Sequence, residues 1–418
     1  MKNFNDPKAI LNSTALVETF TEIVRIDTQA NSKSDTTPST SKQLDLQQVL
    51  EKKLKALGCT DVELDDKGYL YATFPGNVDN TPVIGLIAHV DTAMDYSGTG
   101  VEPIVHTDYD GSDIVLPGGV TIDKNDSPQL AQCVGDTIIT ASGDTLLGAD
   151  DKAGVAAILA AIEALGKNPD ISRPTLRIAF TPDEEIGRGA TWFDTGKFNA
   201  FCAYTLDGSW EGEVNFETFS ADKADVTFTG VAVHPGYATG KMVNALRYLG
   251  MFLDRLPRDE APETTEGRTG FTHPITIEGN ASQAMVTLIL REFDNDKLVE
   301  RGNRLRALVE SIAKEEPKLK ATVEITEQYR NMADTLTDHP KVREYLVQAV
   351  TDAGVTPDEV PVRGGTDGSG LTAKGLPTPN LFAGGMNFHG PREWVSTRVM
   401  ALSVCTVLNL VQHWAEEK

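Results

Sequence analysis

Cysteine is scarce in this sequence, and the few cysteines present form no pattern. The chain has four in 418 residues, with no C-x-x-C pair among them: Cys59, Cys133, Cys202 and Cys405. Such spacing argues against a zinc site built from thiolates and against a disulfide framework. We therefore expect a reducing, cytoplasmic location.

Positive charge and long apolar runs are lacking as well. The formal net charge is −23, whereas nucleic acids and anionic membrane surfaces both require a basic footprint on a protein that binds them. The first residues lack the apolar core of a signal peptide, and no later run is long enough to span a bilayer. We expect neither a nucleic-acid partner nor a membrane partner.

The length of the chain and the order of its patterns predict two domains. A chain of 418 residues exceeds what one ordinary core fills. Residues 219–332 read as strand, helix, strand, helix and strand, which is enough for a small α+β domain. His389 lies after this stretch but belongs with the histidine and carboxylate residues that end strands before it, so the stretch is an insertion. The prediction is a discontinuous catalytic domain, 1–218 with 333–418, and an inserted domain, 219–332.

Four short apolar runs, each readable as a buried strand, end in histidine or in carboxylates. Because ligands bind beyond the carboxyl ends of the strands in an α/β sheet, these endings are expected to form one site. Alone, each ending is more typical of a surface pair, a solvated charge run or a turn than of a functional site. The runs are 83–88 before His89 and Asp91, 176–180 before Glu184 and Glu185, 201–206 before Asp207, and 380–383 before His389.

A pair of acids, Asp150 and Asp151, precedes a run of strong helix formers at residues 155–165. Aspartate favours the N-terminus of a helix, where it caps the helix and faces the positive end of the dipole. A cap accounts for one aspartate but not for a pair flanked by glycines and followed by Lys152. By itself, the motif leaves a cap and a metal site equally open.

Two histidines and several carboxylates without a thiolate suit Zn²⁺, Mn²⁺ or Co²⁺. The economical arrangement is two metal ions, each bound by one histidine and one carboxylate, that share a bridging aspartate. A water between the ions then needs a base that is not itself a ligand. Glu184 and Glu185 stand side by side, so one could bind a metal while the other receives the proton.

Together, these motifs resemble those of the co-catalytic zinc metallopeptidase superfamily M20, most closely its tripeptide aminopeptidase branch. The resemblance implies an α/β fold, in which a mixed-sheet, zinc-exopeptidase-like catalytic domain carries an inserted, ferredoxin-like α+β domain for lid and dimerisation roles. It covers the chain from near Thr28 to the C-terminus. The segments that carry it are His89-Val90-Asp91, Gly148-Ala149-Asp150-Asp151-Lys152, Pro182-Asp183-Glu184-Glu185, Asp207-Gly208, Val233-His234-Pro235-Gly236, Met242-Val243-Asn244-Ala245-Leu246, Arg291-Glu292-Phe293-Asp294, Arg363-Gly364-Gly365-Thr366-Asp367-Gly368 and Phe388-His389-Gly390.

The resemblance also implies a metal centre with assigned ligands. Asp150 would bridge two Zn²⁺ ions per subunit, for which Mn²⁺ or Co²⁺ could substitute. His89 and Asp207 would complete one ion, and Glu185 and His389 the other.

Five further residues receive roles in catalysis and substrate binding from the same resemblance. Glu184 would activate the bridging water as general base, and Asp91 would orient the neighbouring histidine ligand. His234 would stabilise the oxyanion, and Arg291 and Arg363 would hold the C-terminal carboxylate of the substrate. The implied activity is removal of the N-terminal residue from tripeptides.

Two rival interpretations remain open at the level of the sequence. A related hydrolase of the superfamily, such as a dipeptidase, a carboxypeptidase or an N-acyl amino acid amidohydrolase, would use the same metal site. A non-catalytic metal-binding protein is the second alternative, although such a protein has no use for an unligated base at Glu184. A homodimer through the inserted domain is consistent with the resemblance.

Overall fold

The computed structural model describes residues 3–417, which divide into two compact units. The first unit contains residues 3–216, 332–360 and 366–417, and the second contains residues 217–331 and 361–365. The short stretch 361–365, predicted from the sequence to belong to the catalytic domain, thus packs with the second unit.

The helices and strands are as follows in chain order. The α-helices are α1 Pro7–Ser13, α2 Leu16–Ile23, α3 Lys42–Ala56, α4 Ala149–Lys167, α5 Thr195–Phe198, α6 Ala245–Arg255, α7 Asn295–Glu315, α8 Ala333–Thr337, α9 Pro340–Asp352, α10 Asp367–Ala373 and α11 Thr397–Glu416. The strands are β1 Thr60–Leu64, β2 Leu70–Phe74, β3 Ile84–His89, β4 Ile104–His106, β5 Ile114–Val115, β6 Thr121–Ile122, β7 Ile138–Thr140, β8 Leu176–Thr181, β9 Cys202–Gly208, β10 Glu213–Asn215, β11 Ser220–Thr229, β12 Phe271–Gly279, β13 Gln283–Glu292, β14 Lys320–Tyr329, β15 Asp358–Glu359, β16 Asn380–Phe382, β17 Gly385–Met386 and β18 Trp394–Ser396.

The first unit is built on an eight-stranded mixed sheet in the order β1-β2-β8-β3-β9-β16-β10-β15. Its central strands β8, β3, β9 and β16 are parallel, and β2 and β10 join them antiparallel. Side chains of β3 are buried at every position, as expected for a strand covered on both faces. The mixed α/β architecture agrees with the fold class predicted from the sequence.

Helix α4 packs directly on β3 and β9. It is almost wholly buried along its length, which explains its alanine-rich and nearly uniformly apolar sequence. The closest approach is at Gly154, where an added Cβ would lie 1.9 Å from the carbonyl oxygen of Leu206 on β9. Only glycine therefore permits this separation between helix and strand.

Two predictions for this unit are refined by the structure. The pattern of residues 12–27 predicts a helix begun by Ser13 or Thr14, and the observed helix, α2, is shorter and begins at Leu16, after Thr14, whose backbone is extended. The weak alternation of residues 101–144 predicts antiparallel strands at the edge of the main sheet, and the segment forms antiparallel strands that lie elsewhere. Strands β4 and β7 instead join β17 and β18 in a separate sheet of order β17-β18-β7-β4, and β5 pairs with β6.

The second unit has the element order β11-α6-β12-β13-α7-β14 and one antiparallel sheet of order β12-β13-β11-β14. This is the ferredoxin-like arrangement. Its core lies between the sheet and the two helices and contains Phe228, Phe252 and Val286 among other apolar side chains. Strand β12 was not predicted from the sequence. The alternation of apolar and polar residues over 225–234 predicts a first strand that reaches His234, whereas β11 ends at Thr229.

All four cysteines are buried and carry free thiols. Within residues 3–417, none of the helices combines the length and the apolarity needed to cross a bilayer.

Candidate metal centre

The predicted ligands gather at the carboxyl edge of the main sheet in the first unit. His89 is the last residue of β3, and Asp207 lies near the end of β9, which pairs parallel with β3. Glu185 stands in a 3₁₀ turn after β8, and Asp150 lies in the first turn of α4. His389 follows β17. The structure thus brings all five together from five separate segments.

Asp150 lies between the two histidines, with one carboxylate oxygen toward each. Its Oδ1 is 2.9 Å from Nε2 of His89, and its Oδ2 is 3.3 Å from Nε2 of His389. Asp207 Oδ1 is 3.6 Å from the same nitrogen of His89, and Glu185 Oε2 is 3.1 Å from that of His389. The nitrogen and oxygen atoms that could bind a metal therefore form two groups, and both groups include the carboxylate of Asp150.

Asp91 fixes both the histidine and the acidic turn. Nδ1 of His89 lies 3.3 Å from Oδ1 of Asp91 and 3.1 Å from its carbonyl oxygen. The same carboxylate accepts the backbone N–H groups of Glu184 at 3.0 Å and Glu185 at 3.1 Å. Because Asp91 is fully buried, it holds one imidazole and two adjacent acids in a single orientation.

The two adjacent glutamates have different surroundings. Glu185 faces His389, and its second oxygen, Oε1, is buried without a hydrogen-bond partner. The carboxylate of Glu184 accepts no hydrogen bond from another side chain among residues 3–417. The geometry therefore separates one glutamate that belongs to the donor cluster from one that stands beside it.

Asp151 is also within reach of the cluster, together with His89 and Asp207. Its carboxylate is already used by the backbone, because Oδ2 accepts the N–H of His89 at 3.2 Å and Oδ1 accepts that of Gly154 at 3.2 Å. Asp151 therefore supports β3 and α4, whereas Asp150 keeps both of its carboxylate oxygens directed toward the two histidines.

Burial and crowding of like charges shift the protonation of the cluster. Burial, together with the charge of Asp150, raises the pKa of Asp207 to about 6 and that of Glu185 to about 7. Hydrogen bonds to Asp150 and Glu185 raise the pKa of His389 to about 11. Burial also raises the pKa of Glu184 well above its usual range. Without cations, the cluster therefore holds protons between its imidazoles and carboxylates.

These donors fit a pair of divalent cations. Zinc binds nitrogen and oxygen at about 2.0–2.2 Å, so the donors around one ion lie roughly 3–3.5 Å apart. The four separations from 2.9 to 3.6 Å match that spacing. The unpartnered Oε1 of Glu185 would also gain a partner, and a buried oxygen without one is costly.

Comparison with known proteins decides the family. The sequence profile of Peptidase family M20/M25/M40 matches residues 146–413. A protein named Peptidase T from Macrococcus caseolyticus (strain JCSC5402) is 44% identical over 96% of this chain and 99% of its own. Another Peptidase T, from Geobacillus kaustophilus (strain HTA426), is 44% identical over 95% of this chain and 97% of its own.

The chain belongs to Peptidase family M20/M25/M40. It is therefore a peptide hydrolase, as expected from the sequence.

Solved structures share the fold of this M20 peptidase. Aminopeptidase PepT from Bacillus cereus ATCC 10987 gives a TM-score of 0.74 at 23% identity and covers 98% of this chain and 99% of that one. A tripeptidase from Staphylococcus aureus subsp. aureus Mu50 gives 0.76 at 21% identity, over 99% and 100%. A dinuclear metal-binding peptidase of family M20 from Bacillus subtilis gives 0.66 at 13% identity, over 98% and 100%.

The remaining predicted residues of this M20 peptidase belong to its second unit. His234 is exposed in the loop after β11, and its Nδ1 accepts the N–H of Gly236 at 3.2 Å. Arg291, on β13, is half-buried, and its Nη1 donates to Gln328 Oε1 at 3.1 Å and to two backbone carbonyls. Arg363 donates through both terminal nitrogens to oxygens of residues 265–269, at 2.7–3.3 Å.

Sequence reasoning missed three buried acids beside the M20 site. Asp183 precedes the glutamate pair and accepts hydrogen bonds from Ser39 and Gln43. Asp367 accepts the hydroxyl of Thr181 at 2.6 Å, and burial raises its pKa to about 7. The third acid, Glu393, accepts backbone N–H groups of the loop before α4. Two of these acids lay in motifs noted for other residues, but no spacing singled out Glu393.

Proposed function

We propose that this M20 peptidase is a two-metal aminopeptidase that removes the N-terminal residue of tripeptides. The observation that carries the proposal is Asp150, which presents one oxygen to His89 and the other to His389 in a peptidase chain. The relatives named Peptidase T and the tripeptidase of similar structure from Staphylococcus aureus support the substrate class.

The proposed cations are two Zn²⁺ ions, with Mn²⁺ or Co²⁺ as substitutes. Asp150 would be shared, His89 and Asp207 would hold one ion, and Glu185 and His389 the other. When bound, such ions polarise a carbonyl and lower the pKa of a water between them. Glu185 and His389 would give up the protons that they share in the metal-free cluster.

Glu184 is proposed as the general base. Glu184 is half-buried, its carboxylate is not engaged by the proposed ligands, and it is held next to Glu185 by the bonds from both backbone N–H groups to Asp91. A base in this position would take a proton from the attacking water and deliver it to the leaving amine. Asp91 would hold Glu184 and the His89 ring in fixed positions relative to each other.

His234 is proposed as a hydrogen-bond donor to the oxyanion in the transition state. Because Nδ1 accepts a hydrogen bond from a backbone N–H, the neutral ring carries its hydrogen on Nε2. That nitrogen is therefore the donor. The imidazole is exposed, as a group that meets a substrate must be.

Arg291 and Arg363 are proposed to bind the C-terminal carboxylate of the substrate, since guanidinium groups bind carboxylates in two-pronged fashion. The present contacts favour Arg291, because both terminal nitrogens of Arg363 are engaged by residues 265–269. A fixed carboxylate clamp would act as a ruler for peptide length.

One assay separates this proposal from its rivals. The zinc-loaded protein is incubated with free, N-acetylated and C-amidated forms of one tripeptide, and mass spectrometry identifies the first residue released. We expect release of the N-terminal residue from the free peptide, none from the acetylated form, and a lower kcat/KM for the amide. Release of the C-terminal residue or of acetate would establish a carboxypeptidase or an amidohydrolase instead. No turnover with both metals bound would leave a metal-binding protein.

Two further proposals concern the molecule as a whole. We propose a cytoplasmic location, supported by four free thiols, and a homodimer through the second unit, supported by the resemblance of the sequence to its superfamily. Light scattering of the purified protein would test the dimer, and a mass equal to one chain of 45.2 kDa would refute it.

A further inference from the structure

Glu393 is a buried carboxylate that holds the loop in front of α4. Its side chain is among the least exposed of the charged residues, with 1% of its surface accessible. Oε2 accepts the backbone N–H groups of Leu147 at 2.7 Å and Gly148 at 2.8 Å, and Oε1 accepts that of Asp150 at 3.1 Å. One side chain thus satisfies three backbone donors more than 240 positions away in the sequence.

The position of Glu393 links two ligand-bearing segments. The loop that it holds ends in Asp150, the shared carboxylate of the cluster. The segment to which it belongs carries His389 four residues earlier, and the N–H of Glu393 donates back to the carbonyl of Gly390 at 3.2 Å. A displacement of Glu393 would therefore change the separation between Asp150 and His389.

The backbone that carries Glu393 is itself anchored. The next residue, Trp394, begins β18, which pairs antiparallel with β7. The indole N–H of Trp394 donates to the hydroxyl of Ser127 at 3.1 Å, and the side-chain amide of Asn387 donates to that same hydroxyl. Contacts with β7 and with Ser127 therefore hold the segment 387–394 at both of its ends.

We infer that Glu393 is a positioning residue that sets Asp150 relative to His389 and thereby the affinity for the cations. The inference rests on the proposed function, because it assumes that cations bind at Asp150. Residues that orient metal ligands without touching the metal typically change metal affinity or activity by about 10–100-fold when replaced.

A carboxylate is required because the three N–H groups approach both of its oxygens. A glutamine offers one acceptor oxygen and an amide that only donates, so it leaves at least one N–H facing another donor. In the orientation that keeps the bonds to Leu147 and Gly148, the unpaired donor is the N–H of Asp150. Glu393→Gln should therefore loosen Asp150, the proposed metal ligand, and not merely the packing around residue 393.

The test compares Glu393→Gln with a control on α4. Glu163, near the far end of that helix, also accepts a distant backbone N–H, that of Ala15 at 2.8 Å. With a helical rise of 1.5 Å per residue, it lies roughly 20 Å from Asp150. Glu163→Gln thus makes the same chemical change without reaching the cluster: its remaining oxygen can still accept the N–H of Ala15, and it loses only the charge that pairs with Lys167.

Zinc dissociation constants are measured by competition with a chromophoric chelator, alongside the melting temperatures of the metal-free proteins. We expect Glu393→Gln to raise the dissociation constant of at least one zinc by about 10–100-fold. Glu163→Gln should leave both constants within about twofold of the wild type, since it perturbs no residue that orients a ligand. Should Glu393→Gln fail to fold, Glu393→Asp, which keeps both oxygens but shortens the reach, should show the same selective loss.

The outcomes separate the inference from the function on which it rests. Wild-type protein that binds two zinc ions, with unchanged affinity in a folded Glu393 variant, overturns the positioning role alone. Wild-type protein that binds no zinc overturns the proposed metal centre and the inference with it. A Glu393 variant whose melting temperature falls while its zinc affinity stays at the wild-type value also contradicts the inference.

Discussion

Among single residues, Glu184 and Glu185 offer the clearest contrast, because they are identical neighbours in different surroundings. Glu184→Gln should keep both metals and lose activity, since it removes a base without removing a ligand. General-base catalysis typically contributes about 10²–10⁴-fold to the rate. We expect kcat to fall by that amount while the zinc content, measured by atomic absorption, stays at the wild-type value.

The matched variant is Glu185→Gln, which should lose zinc, because its Oε2 lies 3.1 Å from His389 within the donor cluster. Asp150→Ala should lose still more metal, since it removes the carboxylate that both groups share. If Glu184→Gln lost zinc while Glu185→Gln kept it, the two roles would be reversed.

The affinity of the centre for metal should depend on pH in a direction fixed by the raised pKa values. In the metal-free protein, His389 has a pKa of about 11 and Glu185 one of about 7, so both hold protons near neutral pH. A cation must displace these protons, and the apparent affinity should therefore rise as the pH is raised from about 6 to about 8. Calorimetry in two buffers of different ionisation enthalpy measures the released protons; binding without release would contradict the assignment.

That the predicted residues lie together could be foreseen from the sequence, for a physical reason. Residues such as His89 and Asp207 follow apolar strands, and the carboxyl ends of neighbouring parallel strands meet at one edge of a sheet. Glu393 was not predictable in this way. Its partners are backbone N–H groups of a distant loop, and backbone groups leave no residue-specific pattern in a sequence.

At the scale of elements, the contact of α4 with β9 holds Asp150 and Asp207 at a short separation. In Gly154→Ala, the new Cβ would meet the carbonyl of Leu206 at 1.9 Å, so helix and strand must move apart. Overpacking of this kind typically costs about 1–3 kcal/mol in the free energy of unfolding. We expect a lower melting temperature together with weaker zinc binding.

Gly166 on the same helix supplies the control, since nothing lies within 4 Å of an added Cβ there. Gly166→Ala should be neutral or stabilise the protein by about 0.4–1 kcal/mol, because alanine restricts the unfolded chain. Equal melting temperatures for both variants would show that the close contact at Gly154 does not limit the packing of α4.

The loop after β11 should matter for chemistry if His234 donates to the transition state. His234→Ala should lower kcat and kcat/KM together by about 10²–10³-fold, with KM nearly unchanged. Zinc content and melting temperature should stay at wild-type values, because the imidazole is exposed. His273, a half-buried histidine on β12, provides the comparison, and His273→Ala should be as active as the wild type. A fully active His234→Ala would remove this residue from the mechanism.

The elements themselves were less predictable than the site. Strand β12 was missed because it is an edge strand whose second half is exposed at every position, so no alternation of apolar and polar residues marks it. The opposite error occurred at His234, where the alternating sequence continues past Thr229 although the pairing with β13 and β14 stops there. Alternation of apolar and polar residues indicates a half-buried surface, but a strand also requires backbone pairing with a neighbouring strand.

For the whole molecule, the order of motifs along the chain was sufficient to predict two units. Residues 361–365 were misplaced because they return to the second unit after the chain has re-entered the first. Their assignment depends on local pairing, such as the N–H of Phe219 with the carbonyl of Val362 at 3.0 Å, rather than on composition. Sequence order alone gives no sign of so short an excursion.

We propose that two cations at Asp150 are required for the peptidase activity of this chain. This requirement is tested most directly by titrating the exhaustively chelated protein with Zn²⁺ while following hydrolysis of a free tripeptide, with the bound metal quantified at each step. We expect no activity in the metal-free protein and full activity at two equivalents of zinc per chain. Undiminished hydrolysis in protein shown to contain no metal would contradict it.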